Sequence, residues 1–165
     1  MQEMVIYGVS FDMVGKQPIV LLKTVEGRRF LPIWIGSHEA ASIMMRLQGQ
    51  EPARPLTHDL IVEMLGEIDA TCTQVTVTEV RDAVFFAVMT LNIDGRTIEV
   101  DCRPSDAIAV AVRCGATIYA ADDLLAEVGI EVDQEGEEIE EADVVEKFKD
   151  FLDQVSPEDF ASGQG

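Results

Sequence analysis

An α+β fold with a mostly antiparallel sheet packed with helices is the architecture that this amino-acid sequence predicts. Strand-like segments come in groups separated by short turns, and helix-like segments follow these groups instead of alternating strictly with single strands. In the helix-like segments, apolar residues recur three and four positions apart, which gives each helix one face to bury. The 165 residues, 47% of them apolar, suffice for one compact domain with a buried core. We expect this domain to span residues 1–132, with an acidic linker and a C-terminal helical tail over 133–165.

Seven strands are expected, each rich in β-branched or other apolar residues and bounded by turn residues. They lie over residues 4–11, 18–23, 29–35, 73–80, 84–92, 97–102 and 117–120. Glu26-Gly27 is the turn of one predicted hairpin, and Asp94-Gly95 is the turn of another. The order of these segments predicts a hairpin in the first half of the chain and a three-stranded meander in the second.

Four helices are expected in the domain, and a polar residue that can cap a helix precedes three of them. The expected caps are Ser37, Thr57 and Ser105. The first helix ends near Gly49, the second covers residues 58–68, the third ends at Gly115, and a short fourth covers 121–127. The second helix carries an apolar stripe formed by Leu60, Ile61, Met64, Leu65 and Ile68.

The segment after residue 130 has a composition unlike that of the domain. Residues 131–165 hold 13 acidic against 2 basic residues, a charge of -11, whereas residues 1–130 hold 18 against 10, a charge of -8. Residues 131–141 contain almost no apolar side chains, which predicts a linker or a mobile arm. Apolar residues then recur at helical spacing between Val144 and Val155. We expect this amphipathic helix to dock on its own domain or on a partner.

Charge and cysteine content limit the possible classes of protein. The net charge of -19 repels polyanions and argues against tight sequence-independent binding to nucleic acid, which needs basic groups against phosphates. No run of about 18 uncharged apolar residues is present, so we expect no membrane span. The first residues lack the basic and apolar regions of a secretory signal. The three cysteines lack metal-like spacing and indicate reduced, buried thiols, so we expect a cytoplasmic protein.

Two predicted helix starts carry polar residues that could take part in chemistry. His58 and Asp59 place an imidazole next to a carboxylate, which is a possible acid–base pair because histidine titrates near neutrality. The alternative is a capped helix with a surface histidine. Glu39 lies in the first turn of the preceding helix, where the helix dipole favours an acid, so capping alone would also explain this residue.

The junction between the strand over 97–102 and the next helix gathers more such groups. Asp101 and Asp106 can offer oxygen ligands to a divalent cation, and Arg103 can hold a phosphate by a bidentate contact. The structural alternative is that Asp106 favours the helix dipole and that Arg103 pairs with Asp101. We expect this junction to lie close to the start of the helix over 58–68, with His58 or Asp59 reaching toward it.

With these residues in view, the chain resembles the bifunctional nuclease domain family. Three ordered segments carry the resemblance, residues 31–41, 54–60 and 100–109, and with the elements between them it covers about residues 1–132. The resemblance implies a compact α+β domain that often self-associates. It also implies a nuclease activity on RNA and DNA, proposed mainly for plant members. Some relatives append a basic helical motif, whereas the extension of this chain is acidic.

Two functional hypotheses follow. The first is a metal-assisted phosphodiesterase, in which Asp101 and Asp106, together with Glu39, bind Mg²⁺ or Mn²⁺. His58, beside Asp59, would act as general acid or base, and Arg103 would offset charge in the transition state. Binding of RNA or DNA is expected to be weak because of the acidic charge.

The second hypothesis is a non-catalytic, homo-oligomeric module that binds a small ligand or a protein. In that case His58, Asp101 and Arg103 would have structural roles. Under either hypothesis we expect self-association, with a homodimer as the expected state.

Overall fold

The computed structural model describes residues 1–12 and 16–131, and in these residues eight strands and four helices are formed. The strands are β1 (Gln2–Asp12), β2 (Gln17–Thr24), β3 (Arg29–Trp34), β4 (Ala70–Arg81), β5 (Val84–Ile93), β6 (Arg96–Cys102), β7 (Thr117–Ala120) and β8 (Ile130–Glu131). The helices are α1 (Ser37–Leu47), α2 (Thr57–Glu67), α3 (Pro104–Cys114) and α4 (Asp122–Val128). The predicted helix between Val144 and Val155, like the rest of the predicted tail, lies outside the described residues.

All eight strands of the described residues join one sheet, in the order β6-β5-β4-β7-β1-β2-β3-β8. Neighbouring strands are antiparallel except β4 and β7, which are parallel. The meanders β1-β2-β3 and β4-β5-β6 therefore lie side by side, and the short β7 joins them by pairing with both β4 and β1. The predicted α+β class with a mostly antiparallel sheet is confirmed. The two-residue strand β8, which pairs with the start of β3, was not predicted.

Helix α3 lies at the centre of the helical layer, where it contacts α1, α2 and the sheet. Five consecutive residues of this helix, Ala107 to Ala111, are no more than 1% exposed. Three of them are alanines, and such small side chains let neighbouring helices and strands approach closely. The start of α3 is thereby held at a fixed position between α1, α2 and the ends of the strands.

The three predicted helix caps are wrong by one or two residues. The residues that cap α1, α2 and α3 are Gly36, Leu56 and Arg103, and none of them makes a side-chain capping hydrogen bond. Each helix instead carries an acid at its third position. These acids are Glu39, Asp59 and Asp106. A carboxylate there interacts favourably with the helix dipole and with the free backbone N–H groups of the first turn.

Three further expectations from the sequence concern the α2 stripe, the cysteines and membrane spans. The outer half of the predicted α2 stripe is exposed, with Leu60, Met64 and Ile68 each at least 50% exposed. The cysteines of the described residues form no disulfide, but only Cys72 is buried, and Cys114 is exposed. Among the helices of residues 1–12 and 16–131, none is both long and apolar enough to cross a membrane.

Candidate functional site

A continuous chain of hydrogen bonds links the starts of α1, α2 and α3. Ser42 Oγ lies 2.8 Å from His58 Nδ1, and His58 Nε2 lies 3.0 Å from Asp106 Oδ1. Arg103 binds Asp106 through Nε and Nη2 and reaches Glu39 Oε1 through Nη2 at 2.8 Å. We call these five residues the Arg103 cluster. The expected approach of His58 to the strand–helix junction is confirmed by its contact with Asp106.

The hydrogen bonds define the roles of the atoms in the inner part of the cluster. An ionised carboxylate can only accept, so His58 Nε2 carries the proton that bonds Asp106, and Nδ1 of a neutral ring accepts from the Ser42 hydroxyl. Burial opposes ionisation of Asp106, but hydrogen bonds from Arg103 and His58 outweigh it, and the pKa of Asp106 is lowered. His58 is buried, and both of its nitrogens are engaged. The imidazole therefore holds Asp106 in place and does not itself face solvent.

Arg103 is the outermost member of the cluster, with 65% of its side chain exposed. Hydrogen bonds to Asp106 and then to Glu39 raise the pKa of Arg103 above its ordinary value, so the guanidinium is charged at every ordinary pH. Its Nε and Nη2 atoms are committed to the two carboxylates. Within the part of the chain that the structure describes, Nη1 makes no hydrogen bond, and its two N–H groups are available to a ligand.

Glu39 folds back over the start of its own helix. The backbone N–H of Glu39 is the main cause of its lowered pKa; burial opposes this effect, and Arg103 adds to it. The carboxylate lies directly against Gly36, and a Cβ built on Gly36 would overlap Glu39 Oε2. The φ of Gly36 is -73°, which any residue can adopt, so a Cβ here would conflict only with the movable end of the Glu39 side chain.

Asp59 binds Arg113, and not His58 as in the acid–base pair proposed from the sequence. Its Oδ1 accepts from Arg113 Nε at 2.6 Å, and its Oδ2 accepts from the Leu56 backbone N–H at 2.9 Å. Arg113 also donates to the carbonyl oxygens of Ser42 and Ala109, so its side chain joins α1, α2 and α3. Burial opposes ionisation of Asp59, but these hydrogen bonds outweigh it and lower its pKa. Asp59 is thus held in a salt bridge separate from the Arg103 cluster.

Asp101 also lies apart from the cluster. It is exposed on β6, which is the edge strand of the sheet. The suggested pairing of Arg103 with Asp101 is wrong, because Arg103 bonds Glu39 and Asp106 instead. A catalytic role for Asp101 stays a prediction.

The residues proposed as metal ligands do not form a ligand set. Among the described residues no group of three or more His, Cys, Asp and Glu side chains is arranged to hold a metal ion. The carboxylates of Glu39 and Asp106 face the guanidinium of Arg103, which stands where a cation would neutralise them. The expectation of Mg²⁺ or Mn²⁺ therefore remains a prediction without geometric support.

An apolar cleft of about 540 Å³ opens beside Arg103. We call it the apolar cleft, and its walls include Ile33, Trp34, Ile35, Val80, Phe85 and Val128. Polar side chains reach it from Gln17, Arg103 and Ser105, and the starts of α1 and α3 border it at Gly36 and Pro104. One edge of the Arg103 cluster thus faces a largely apolar space.

Sequence reasoning missed Ser42 and Arg113 as members of these contacts. Ser42 is one of several small residues in α1, and nothing local distinguishes it. Arg113 lies in the last turn of α3, where the helix dipole alone would explain a cation. A possible signal was its position on α3, because an arginine on a helix with five consecutive buried residues has to reach a carboxylate or carbonyl partner.

Comparison with known proteins adds four findings. A family model described as the bifunctional nuclease domain matches residues 20–133. An uncharacterized protein of Mycobacterium tuberculosis H37Rv is 41% identical over 164 residues, covering 97% of this chain and 98% of that protein. Bifunctional nuclease 1 of Arabidopsis thaliana is 30% identical over 123 residues, which is 72% of this chain but 38% of the plant protein. A rice protein, bifunctional nuclease 2, is 28% identical over 118 residues, 69% of this chain and 36% of its own length.

Proposed function

Because the chain belongs to the bifunctional nuclease domain family, we propose that it hydrolyses phosphodiester bonds of nucleic acid at the Arg103 cluster. The observation that carries this proposal is the exposed guanidinium of Arg103, which is fixed by two carboxylates and whose Nη1 donors have no partner in residues 1–12 and 16–131. A positioned cation with open donors beside an ionised carboxylate is suited to binding a phosphate and orienting a water molecule.

Phosphate binding by this cluster is expected to be weak. Arg103 contributes one positive charge, whereas Glu39 and Asp106 contribute two negative charges when His58 is neutral. The N-termini of α1 and α3 each add about half a positive charge. The net charge around the cluster is therefore about zero. A phosphodiester would therefore be held mainly by hydrogen bonds from Arg103 Nη1 and by the two helix N-termini.

Hydrolysis at this cluster assigns a different role to each side chain. Arg103 donates to a phosphate oxygen and offsets the negative charge that grows in the transition state. Asp106, 26% exposed, accepts a hydrogen bond from the attacking water and orients it. The lowered pKa of Asp106 makes it a weak base, so orientation is its main contribution. His58 is a positioning residue, because it touches Asp106 and not the water.

No step is assigned to a divalent cation in this proposal. The oxygens of Asp106 accept hydrogen bonds from Arg103 and His58, and Glu39 accepts one from Arg103. The requirement for Mg²⁺ or Mn²⁺ is instead a condition to be varied in the assay. A strict requirement would mean that the cation enters with the substrate phosphate or that the cluster rearranges when the cation binds.

The test is cleavage of end-labelled RNA and DNA by the full chain, with and without Mg²⁺ or Mn²⁺. We expect Arg103→Gln and Asp106→Asn each to lower the rate by about a hundredfold or more, as loss of one transition-state contact does elsewhere. Arg81→Gln is the matched control, because Arg81 pairs with Glu79 on the surface outside the cluster. All variants are purified in parallel, and cleavage that persists in both cluster variants would overturn the proposal.

A second candidate function, a non-catalytic homo-oligomeric binding module, is favoured by a separate observation. The exposed residues Leu60, Met64 and Ile68 follow one another along one side of α2 and its C-terminal cap. Exposed apolar stripes of this kind often mark an interface. Wild-type protein that cleaves neither RNA nor DNA under any of these conditions would favour this second candidate.

A further inference from the structure

We propose that the apolar cleft binds a small amphipathic carboxylate, with its anionic head on Arg103 and its apolar body between the cleft walls. This binding does not depend on the hydrolysis proposed above. The cleft volume of about 540 Å³ lies within the usual range for sites that hold small molecules.

The walls of the apolar cleft provide the surface for the body of such a ligand. Ile33 and Val128 are 2% and 5% exposed, so they form a packed base. Trp34, Val80 and Phe85 are partly buried and present their remaining apolar surface to the cleft. A bound hydrocarbon body would remove this surface from water, at about 25 cal/mol per Å².

The anionic head has two independent partners at one end of the cleft. The first is Arg103, whose Nη1 donors are free among the described residues and whose side chain is 65% exposed. The second is Ser105, which lines the cleft and is only 6% exposed, yet its hydroxyl makes no hydrogen bond to any described residue. No fully enclosed side-chain oxygen lacks a partner in the described residues, so this hydroxyl keeps some exposed surface on a residue that lines the cleft.

The charge of the cluster favours a monoanion. Glu39 and Asp106 already neutralise Arg103, so a dianionic phosphate monoester would meet two carboxylates at short range. Besides Arg103 and Ser105, the side chains with polar hydrogens on the lining are Gln17 and Trp34. A sugar-rich ligand would therefore leave most of its hydroxyl groups without partners. A carboxylate with a hydrocarbon body carries half the charge of the dianion, so the repulsion is about halved, and its apolar body needs no hydrogen-bond partners.

Trp34 makes the test direct, because it is the one tryptophan of the chain and it lines the apolar cleft. The full chain is titrated with decanoate below its micelle-forming concentration, while Trp34 emission is recorded. Decanol is the neutral analogue with the same number of carbon atoms. We expect decanoate to cause a saturable change in emission and decanol to bind about tenfold more weakly, since a charge-assisted hydrogen bond contributes roughly that factor.

Three variants assign the binding to this cleft. Arg103→Gln should weaken decanoate about tenfold and leave decanol unchanged. Val84→Glu places a charge at the mouth of the cleft, where Val84 is 56% exposed, and should weaken both probes. Arg96→Gln removes an exposed arginine outside the cleft and should change neither.

Several outcomes would overturn the proposal, with circular dichroism confirming that each variant is folded. These are an unchanged Trp34 emission, equal affinities for decanoate and decanol, or decanoate binding that survives Arg103→Gln. Binding insensitive to Val84→Glu would place the probe elsewhere, for example on the exposed stripe of α2. A negative nuclease assay would leave all of these measurements unaffected.

Discussion

Arg113 should contribute more to stability than any exposed arginine of the domain. Its side chain is 6% exposed, and it donates to Asp59 Oδ1 at 2.6 Å, to the Ala109 carbonyl oxygen at 2.8 Å and to the Ser42 carbonyl oxygen at 3.2 Å. Arg113→Gln removes the charge and cannot reproduce the three contacts. Among the residues that the structure describes, Asp59 then keeps the Leu56 N–H as its one hydrogen-bond donor.

The size of the effect follows from how far the pair is buried. Removing one partner of a buried salt bridge costs about 3–5 kcal/mol. Asp59 is 24% exposed and can be partly rehydrated, so the lower end of about 3 kcal/mol applies. For a protein of this size, about 3 °C of Tm corresponds to 1 kcal/mol, and we expect Arg113→Gln to melt about 9 °C lower at pH 7.

Thermal unfolding followed by far-UV circular dichroism measures this change. Arg81→Gln is the matched control, because the Arg81–Glu79 pair has a distance of 3.0 Å but exposed fractions of 61% and 51%. It should lose no more than about 1 kcal/mol. In a double-mutant cycle with Asp59→Asn, the coupling should be about 1–3 kcal/mol. The reasoning is refuted if Arg113→Gln melts no lower than Arg81→Gln.

Two further predictions concern the carboxylates at the helix starts. Gly36→Ala should displace the Glu39 carboxylate and cost about 1 kcal/mol, as loss of a capping contact does; an equal cost in a Glu39→Ala background would contradict the steric explanation. The pKa of Asp106 is lowered in the fold from its ordinary 3.8, so its ionised form stabilises the protein above that pH, and the contribution is lost as pH falls through the lowered pKa. The stability difference between wild type and Asp106→Asn, measured by urea unfolding, should therefore shrink as pH falls below about 4, whereas a difference independent of pH would rule out this linkage.

The elements of the fold were predictable because they depend on local pattern. Alternation and turn residues located every strand except β8, which has two residues and forms only because β3 provides an edge. The exact helix starts were not predictable from capping rules. Ser37 and Thr57 are good capping residues by type, but the neighbouring Gly36 and Leu56 occupy the cap position. Carboxylates at the third position supply the acceptors, so a polar cap residue is not required there.

The candidate site was predictable only in part, for a different reason. Arg103 and Asp106 are three positions apart at a helix start, so their contact is local. The contacts of His58 with Ser42 and of Arg113 with Asp59 depend on how the helices are rotated against one another. The periodicity of a sequence predicts which face of a helix is apolar, but it does not predict which part of that face contacts the core. For this reason the exposure of Leu60 and Met64 was also missed.

The same arrangement of side chains occurs twice in this domain, and its consequences are opposite. In both cases a carboxylate at the third position of a helix binds an arginine. Where the arginine is buried, as with Arg113, each of its three nitrogens donates to the protein, and the pair holds helices together. Where the arginine is exposed, as with Arg103, two carboxylates fix its plane, Nη1 has no partner among the described residues, and the side chain borders the apolar cleft. Rigid placement combined with an unused donor is what a binding site needs, and this contrast is why the proposals above assign function to Arg103 and stability to Arg113.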